Sequence, residues 1–354
     1  MSVLDKLNEI EKIDKTDLLK NIEELPLQCE KAWAEIKKLP LPSYYFGAKK
    51  VVIVGMGGSA IGADLAKSFA FKKSSVPIFV LRDYDLPGFV DRDTLLIAVS
   101  YSGNTEEVIS CIDQALSTRA KLVGITTGGE LEKIASNRKL PFYKFEYKTE
   151  PRQALGFLFT AILGILNKVA VINIDDNEFK EIILLLKGLN SKIKVDVPTS
   201  KNEAKKIANQ IQSKIPVIFA SGTLKSVGLR FKTQLNENSK HAAFNEEIPE
   251  ACHNFVIGLE NPTNLAETIF CLFLSSKYDN PRNKVRFSIL QEILSKKKIL
   301  HEELLVDPSI SPLAEMFMFI LLLDYVSFYT AMLNKTDPRP IENISYLKKR
   351  LKEI

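Results

Sequence analysis

From residue 50 onward the chain alternates short, continuous apolar runs with stretches of helical period. "KVVIVGM", "VPIFVLR", "DTLLIAVS", "KLVGITT" and "LPFYKFE" are strand-like, while "SAIGADLAKSFA", "TEEVISCIDQALSTR" and "GELEKIAS" are helical. Strands that are apolar at every position, separated by helices, predict a parallel sheet covered on both faces. Residues 1–46 place leucine and isoleucine at helical spacing and end at "LPLPS". After the apolar helix in "EPRQALGFLFTAILGILNKV" and the amphipathic "INIDDNEFKEIILLLKGL", the polar connector "NSKIKVDVPTSKNE" marks a boundary near residue 200. "IPVIFASGTLKSVGLRFKTQL" then restarts the plan, echoing "KVVIVGMGGSAIGADLAKSF", and "NFVIGLE", "AETIFCLFL" and "RNKVRFSILQEIL" continue the alternation. The pattern predicts an N-terminal helical segment (1–46), two α/β domains (47–195 and 196–335) and a C-terminal segment with a helix (336–354).

Composition changes this picture little. The 354 residues are 45% hydrophobic and 26% charged, ordinary for a soluble globular protein. The net charge of +5 is spread over surface-type helices, among which "ILSKKKILHEELL" is read, and no basic cluster interleaves with aromatics, so nucleic-acid binding is not indicated. Cys29, Cys111, Cys252 and Cys271 lack C-x-x-C spacing, which points to neither a zinc site nor a disulfide framework. The stretch 316–333, "MFMFILLLDYVSFYTAML", is nearly long enough to span a bilayer. Asp324 in its middle, with Tyr325, Ser327 and Tyr329 after it, favours a helix buried in a core or a subunit interface. With no signal peptide at the N-terminus, the expectation is a cytoplasmic protein without a membrane partner.

Two loops carry chemistry. "VGMGGSAIGADL" joins a strand to a helix through three glycines, which lets backbone N–H groups face a ligand. Gly55-x-Gly57-x-x-Ala60, with Asp83 after the second strand, fits a dinucleotide fingerprint, and a ligand-free tight turn fits as well. "SYSGNTEEV" shifts the balance. Ser100, Ser102 and Thr105 offer three hydroxyls around Gly103 where the next helix begins, and a helix start favours an anion. One N-cap at Asn104 or Thr105 would need only one such group. The excess favours a small phosphorylated ligand over a dinucleotide.

"GMGGSAIG", "SYSGNTEE", "PRQALG" and "KTQLNENSKHAAFNEEIPEACHN", with the C-terminal "DPRPIENISYLKKRL", resemble the sugar isomerase (SIS) fold. More narrowly, they resemble the bifunctional phosphoglucose/phosphomannose isomerases. The resemblance implies two SIS domains, each a parallel sheet flanked by helices, with additional terminal helices. It implies an aldose–ketose isomerase, an intramolecular oxidoreductase in class, acting on glucose 6-phosphate, fructose 6-phosphate and mannose 6-phosphate. Gly58 and Ser59 match the family's first ligand loop, and Ser100, Ser102 and Thr105 its phosphate-holding loop. Arg152 matches the arginine that stabilises the enediolate, and Glu237 the base that moves a proton between C1 and C2. His253 matches the ring-opening histidine contributed by the neighbouring subunit, which implies a homodimer. Lys348 matches the C-terminal lysine that assists ring opening, with Lys349 one residue away.

The residue types suit that chemistry. Isomerisation without cofactor or metal needs one carboxylate that reaches two adjacent carbons, an acid–base group at the ring oxygen and a cation near the developing oxyanion. His241, His253 and His301 are too few and too scattered for a zinc site. Phe255 stands where relatives carry an acidic residue, and Glu247 is interposed before "IPE". A non-catalytic sugar-phosphate sensor and an amino-sugar-phosphate isomerase are the rival readings of the same loops, with a nicotinamide-dependent dehydrogenase further off.

Overall fold

The computed structural model describes residues 3–307, 309–351 and 353. Along the chain run α1 (Leu7–Ile13), α2 (Leu18–Glu23), α3 (Leu25–Ile36), β1 (Lys50–Val54), α4 (Gly57–Ala70), β2 (Ile78–Leu81), β3 (Thr94–Ser100) and α5 (Glu106–Thr118). They are followed by β4 (Lys121–Thr126), α6 (Gly129–Arg138), β5 (Phe142–Lys144), α7 (Leu155–Lys168), α8 (Asp176–Ile193) and α9 (Glu203–Ile211). The second half adds β6 (Ile215–Ala220), α10 (Lys225–Asn238), β7 (Phe244–Glu247), α11 (Phe255–Gly258), α12 (Leu265–Thr268) and β8 (Ile269–Ser275). It ends with α13 (Pro281–Lys296), β9 (Leu300–Leu305), α14 (Pro312–Leu333) and α15 (Glu342–Leu351).

The chain divides into two compact units, one of residues 24–187 with 310–317, the other of residues 1–23, 188–309 and 318–354. Each holds one wholly parallel sheet. In the first, the order is β2-β1-β3-β4-β5. Every residue of β3 and β4 is buried, which is why both read as unbroken apolar runs. The order reverses between β1 and β3, and ligands of open α/β sheets bind beyond the strand ends at such a switch point. The two glycine-bearing loops lie there, after β1 and after β3. α7 is buried along almost its whole length, and Trp33 of α3 stacks on Phe179 of α8 with centroids 4.3 Å apart.

The second sheet repeats the plan in the order β7-β6-β8-β9. Two readings need correction here. "ILSKKKILHEELL" is not one surface helix: α13 stops at Lys296, Lys298 takes left-handed backbone at φ 58°, and "LHEELL" is the edge strand β9. An edge strand with polar side chains on its open face lacks the apolar run that betrays a central strand. "NFVIGLE" contains the short helix α11 and supplies no strand; the strand beside β6 is "FNEE". α14 is long and apolar enough to cross a membrane, but 89% of its most apolar window is buried within the protein, as a core helix would be.

Candidate active site

In the first unit the glycines are set by close approach. A Cβ on Gly58 would lie 2.7 Å from the backbone nitrogen of Arg152 and 2.8 Å from the Pro151 carbonyl carbon. The first turn of α4 therefore abuts the 3₁₀ turn Pro151–Gln153, and Arg152 itself is 2% exposed. That turn is held by a buried amide on α3. Gln28 Nε2 donates to the Gln153 carbonyl at 3.0 Å, and its Oε1 accepts from Gly156 N at 3.1 Å. Nothing in the sequence singles out Gln28, because its partners lie more than a hundred residues away.

The loop after β3 spends its polar groups in an unexpected way. Ser100 Oγ and Thr105 Oγ1 are 2.8 Å apart and bond each other. Ser102 Oγ accepts from Asn104 N at 3.2 Å, and Ser59 Oγ accepts from Tyr101 N at 3.3 Å. Asn104 does not cap α5; its Oδ1 takes Glu130 N in the first turn of α6, at 3.0 Å. Thr105 occupies the N-cap position with no side-chain cap bond. A simple capping loop is thus not what was built. Ser59, Ser100, Ser102 and Thr105 line the two loops at the switch point beside an uncapped helix start, an arrangement suited to an anion. Gly103 fits only as glycine, since a Cβ there would fall 1.8 Å from the Gly128 oxygen.

The matching crevice of the second sheet, between β6 and β8, is closed by the chain's own carboxylate. Asp279 accepts from Ser221 Oγ and, at 2.9 Å, from Ser276 N, and its Oδ1 would sit 3.3 Å from a Cβ on Gly222. The two switch points are therefore unequal. At the second a carboxylate takes the loop hydroxyl, whereas at the first the hydroxyls of Ser100 and Thr105 bond each other.

Glu237 is half-buried near the end of α10, in the second unit. With Lys240 and the stretch from Thr336 into the first turn of α15, it lines a cavity of about 510 Å³. Lys348 lies one turn beyond the cavity-lining Ile344 and is exposed, as is Lys349. His253 is exposed at the end of the 3₁₀ turn Glu250–His253 and does not line this cavity. The other histidines are engaged by backbone: His241 Nε2 is 2.5 Å from the Lys214 oxygen, and His301 Nδ1 3.0 Å from that of Ile299. Glu247, at the end of β7, pairs with Lys225 at 2.8 Å, and Phe255 packs edge-on against Phe219. Burial, with the neighbouring Glu247 charge, pushes the Glu246 carboxyl up from its ordinary range.

Residues 44–170 match the SIS domain family, and residues 200–351 match the bacterial phospho-glucose isomerase C-terminal SIS domain. The chain is 36% identical over 338 residues to the bifunctional phosphoglucose/phosphomannose isomerase of Caldicellulosiruptor bescii, covering 95% of this chain and 99% of that one. This chain belongs to the phosphoglucose/phosphomannose isomerase family. The family member from Aquifex aeolicus is 34% identical over 322 residues, 91% of this chain and 94% of its own. The fold of a hypothetical protein from Thermus thermophilus superposes with a TM-score of 0.75 at 15% identity, over 98% of this chain and 94% of that one. Membership makes the chain a two-domain SIS protein of the isomerase class. The label oxidoreductase gives way to isomerase, because such a reaction exchanges no electrons with a second molecule.

Proposed function

We propose that the protein interconverts glucose 6-phosphate and fructose 6-phosphate, and likewise mannose 6-phosphate and fructose 6-phosphate, without a metal ion. The observation that carries this reading is the cavity that Glu237 lines together with Lys240 and the first turn of the lysine-bearing helix α15, where Asp337 and Glu342 are the other acidic residues of the lining. Ser59, Ser100, Ser102 and Thr105 hold the phosphate, with Gly58 allowing the close approach of the Arg152 turn. Lys348 and His253, the latter from the second subunit of a homodimer, move the proton between O1 and the ring oxygen that opens the pyranose. The Glu237 carboxylate then takes the proton from C2 of the aldose. The electron pair of that C–H bond forms the C1–C2 double bond of a cis-enediol(ate), whose negative oxygen is stabilised by Arg152. Glu237 returns its proton to C1 while the O2 proton passes to O1 and the C2–O bond becomes the carbonyl, so the ketose results with atoms and electrons balanced within one substrate.

Glu237→Gln keeps the shape of the side chain and removes the base. It is expected to lower turnover of both aldoses by at least ~10³-fold, the upper range for a general base, while sugar-phosphate binding persists. Retained turnover in a coupled assay would overturn the assignment. The same assay with a chelator tests the metal-free step, which requires full activity. Binding of fructose 6-phosphate without exchange of its C1 proton into solvent would favour the sensor reading, and turnover of glucosamine 6-phosphate the amino-sugar one.

A further inference from the structure

Lys240 follows the end of α10 in left-handed backbone, φ 49°, and His241 N bonds back to the Leu235 carbonyl at 3.0 Å. Glycine is the usual occupant of such a helix-terminal position, because it alone adopts the conformation without a Cβ clash. Lys139, Lys298 and Lys335 take the same backbone at φ 54°, 58° and 51°, so what sets Lys240 apart is where its ammonium reaches. Its ammonium donates to the Glu237 carbonyl at 3.0 Å and, in the opposite direction, to the carbonyls of Asp337 and Pro338 at 2.9 and 3.0 Å. The first is among the carbonyls that the end of α10 leaves without an intrahelical partner. The other two belong to the segment that leads into α15. One cation therefore spans the Glu237 end of α10 and the segment before the lysine-bearing helix, Asp337 lying 97 residues beyond Lys240 along the chain.

We infer that Lys240 is a positioning residue for the isomerisation: its ammonium clips the backbone of Glu237 to the 337–338 segment, and so fixes where the carboxylate stands relative to α15. The inference rests on the role proposed for Glu237. It adds no group to the chemistry. It assigns the geometry of the base to a residue that bridges backbone carbonyls of two segments, and a displacement of about 1 Å in a catalytic group can cost on the order of 10²-fold in rate.

The test compares Lys240→Met, Lys240→Gly and Lys240→Arg in the full-length protein, with Glu237→Gln as reference. K240G relieves the left-handed backbone while removing the clip, so its melting temperature holds or rises, and it remains informative should K240M fold poorly. The expected result is a roughly 10- to 100-fold fall in kcat for K240M and K240G with KM within about threefold. K240R, whose guanidinium still reaches several carbonyls, stays within about threefold of wild type. A residue that merely stabilises the fold would instead leave kcat of the heat-stable K240G unchanged. That outcome, with E237Q inactive, overturns the inference and leaves the base assignment standing. A rise in KM at constant kcat also overturns it, because the lysine would then act on substrate affinity. Turnover by E237Q would remove the base assignment and this inference with it.

Discussion

Arg230 Nη2 donates to Asp324 Oδ2 at 2.6 Å, and the two side chains are only 3% and 6% exposed. The pair ties α10, which carries Glu237 two turns further on, to α14. It also accounts for the charged residue in the middle of an otherwise membrane-like helix. Burial drives the Asp324 carboxyl pKa upward, while the guanidinium of Arg230 and the amide of Gln234 pull it back. The same helix contacts continue toward Glu237, where Asn238 Nδ2 donates to Ser327 Oγ at 3.0 Å and Ser239 Oγ to the Ser327 carbonyl at 2.6 Å.

Removing one partner of such a pair strands the other charge in a medium that solvates it poorly. Asp324→Ala is therefore expected to lower the unfolding free energy by about 3–5 kcal/mol, measured by urea titration. Replacing both, as Arg230→Met with Asp324→Leu, removes the stranded charge and should recover most of that loss. A double variant as unstable as D324A would contradict this account.

Gly58→Ala tests the packing of the first ligand loop. Its new methyl would meet three backbone atoms of Pro151 and Arg152 within 2.9 Å, and backbone cannot swing aside as a flexible side chain does. Overpacking of this kind costs about 1–3 kcal/mol. Because the displaced element carries Arg152, the fall in kcat/KM should exceed the fall in stability, at about 10²-fold. Steady-state kinetics and urea unfolding on one preparation decide it; an active, stable G58A would show that the turn has room to move.

Thiol reactivity should single out one cysteine of four. Burial pushes the thiols of Cys29 and Cys271 up to about 12 and that of Cys111 up to about 11. At pH 8 such groups hold a negligible thiolate fraction, and the thiolate is the nucleophile. Cys252 is also shifted upward by burial but is partly exposed, beside His253. Native protein should therefore react with an aromatic disulfide reagent at Cys252 first, the other three following only in denaturant. Fast modification of more than one thiol in the native state would refute the burial argument.

How much of this was legible beforehand depends on how local each determinant is. β1, β3 and β4 announce themselves because nearly every side chain in them is buried. β7 and β9 do not, because each lies at a sheet edge and carries Asn, Glu or His among its residues. The hydroxyls of "SYSGNTEEV" were visible as residue types, but not their pairing. That Asn104 serves α6, or that Gln28 holds the turn of Arg152, follows from tertiary closure and leaves no mark at short spacing. Lys240 lies inside "NENSKH" and carries no signal there, since its partners at 337 and 338 are set by where the C-terminal segment packs.

The choice between Lys348 and Lys349 turns on helix geometry. Ile341, Glu342, Asn343 and Ile344 all line the Glu237 cavity, and Lys348 follows Ile344 by four residues, so it stands above it on the face that Ile341 and Ile344 share. Lys349 is rotated by about 100° from that face. Lys348→Ala should therefore cost about 10²-fold or more in kcat for a pyranose substrate, the scale of a lost acid–base group, while Lys349→Ala stays within a few-fold. Both residues are exposed, so neither change should move the melting temperature by more than a degree or two. Ring opening precedes proton transfer, so exchange of the substrate's C2 proton into solvent must fall in step with kcat in K348A. If exchange stays fast while net turnover falls, the lysine acts after the enediolate. If K349A is the slower enzyme, the face of α15 that meets the substrate is the one through Glu342 and Ser345.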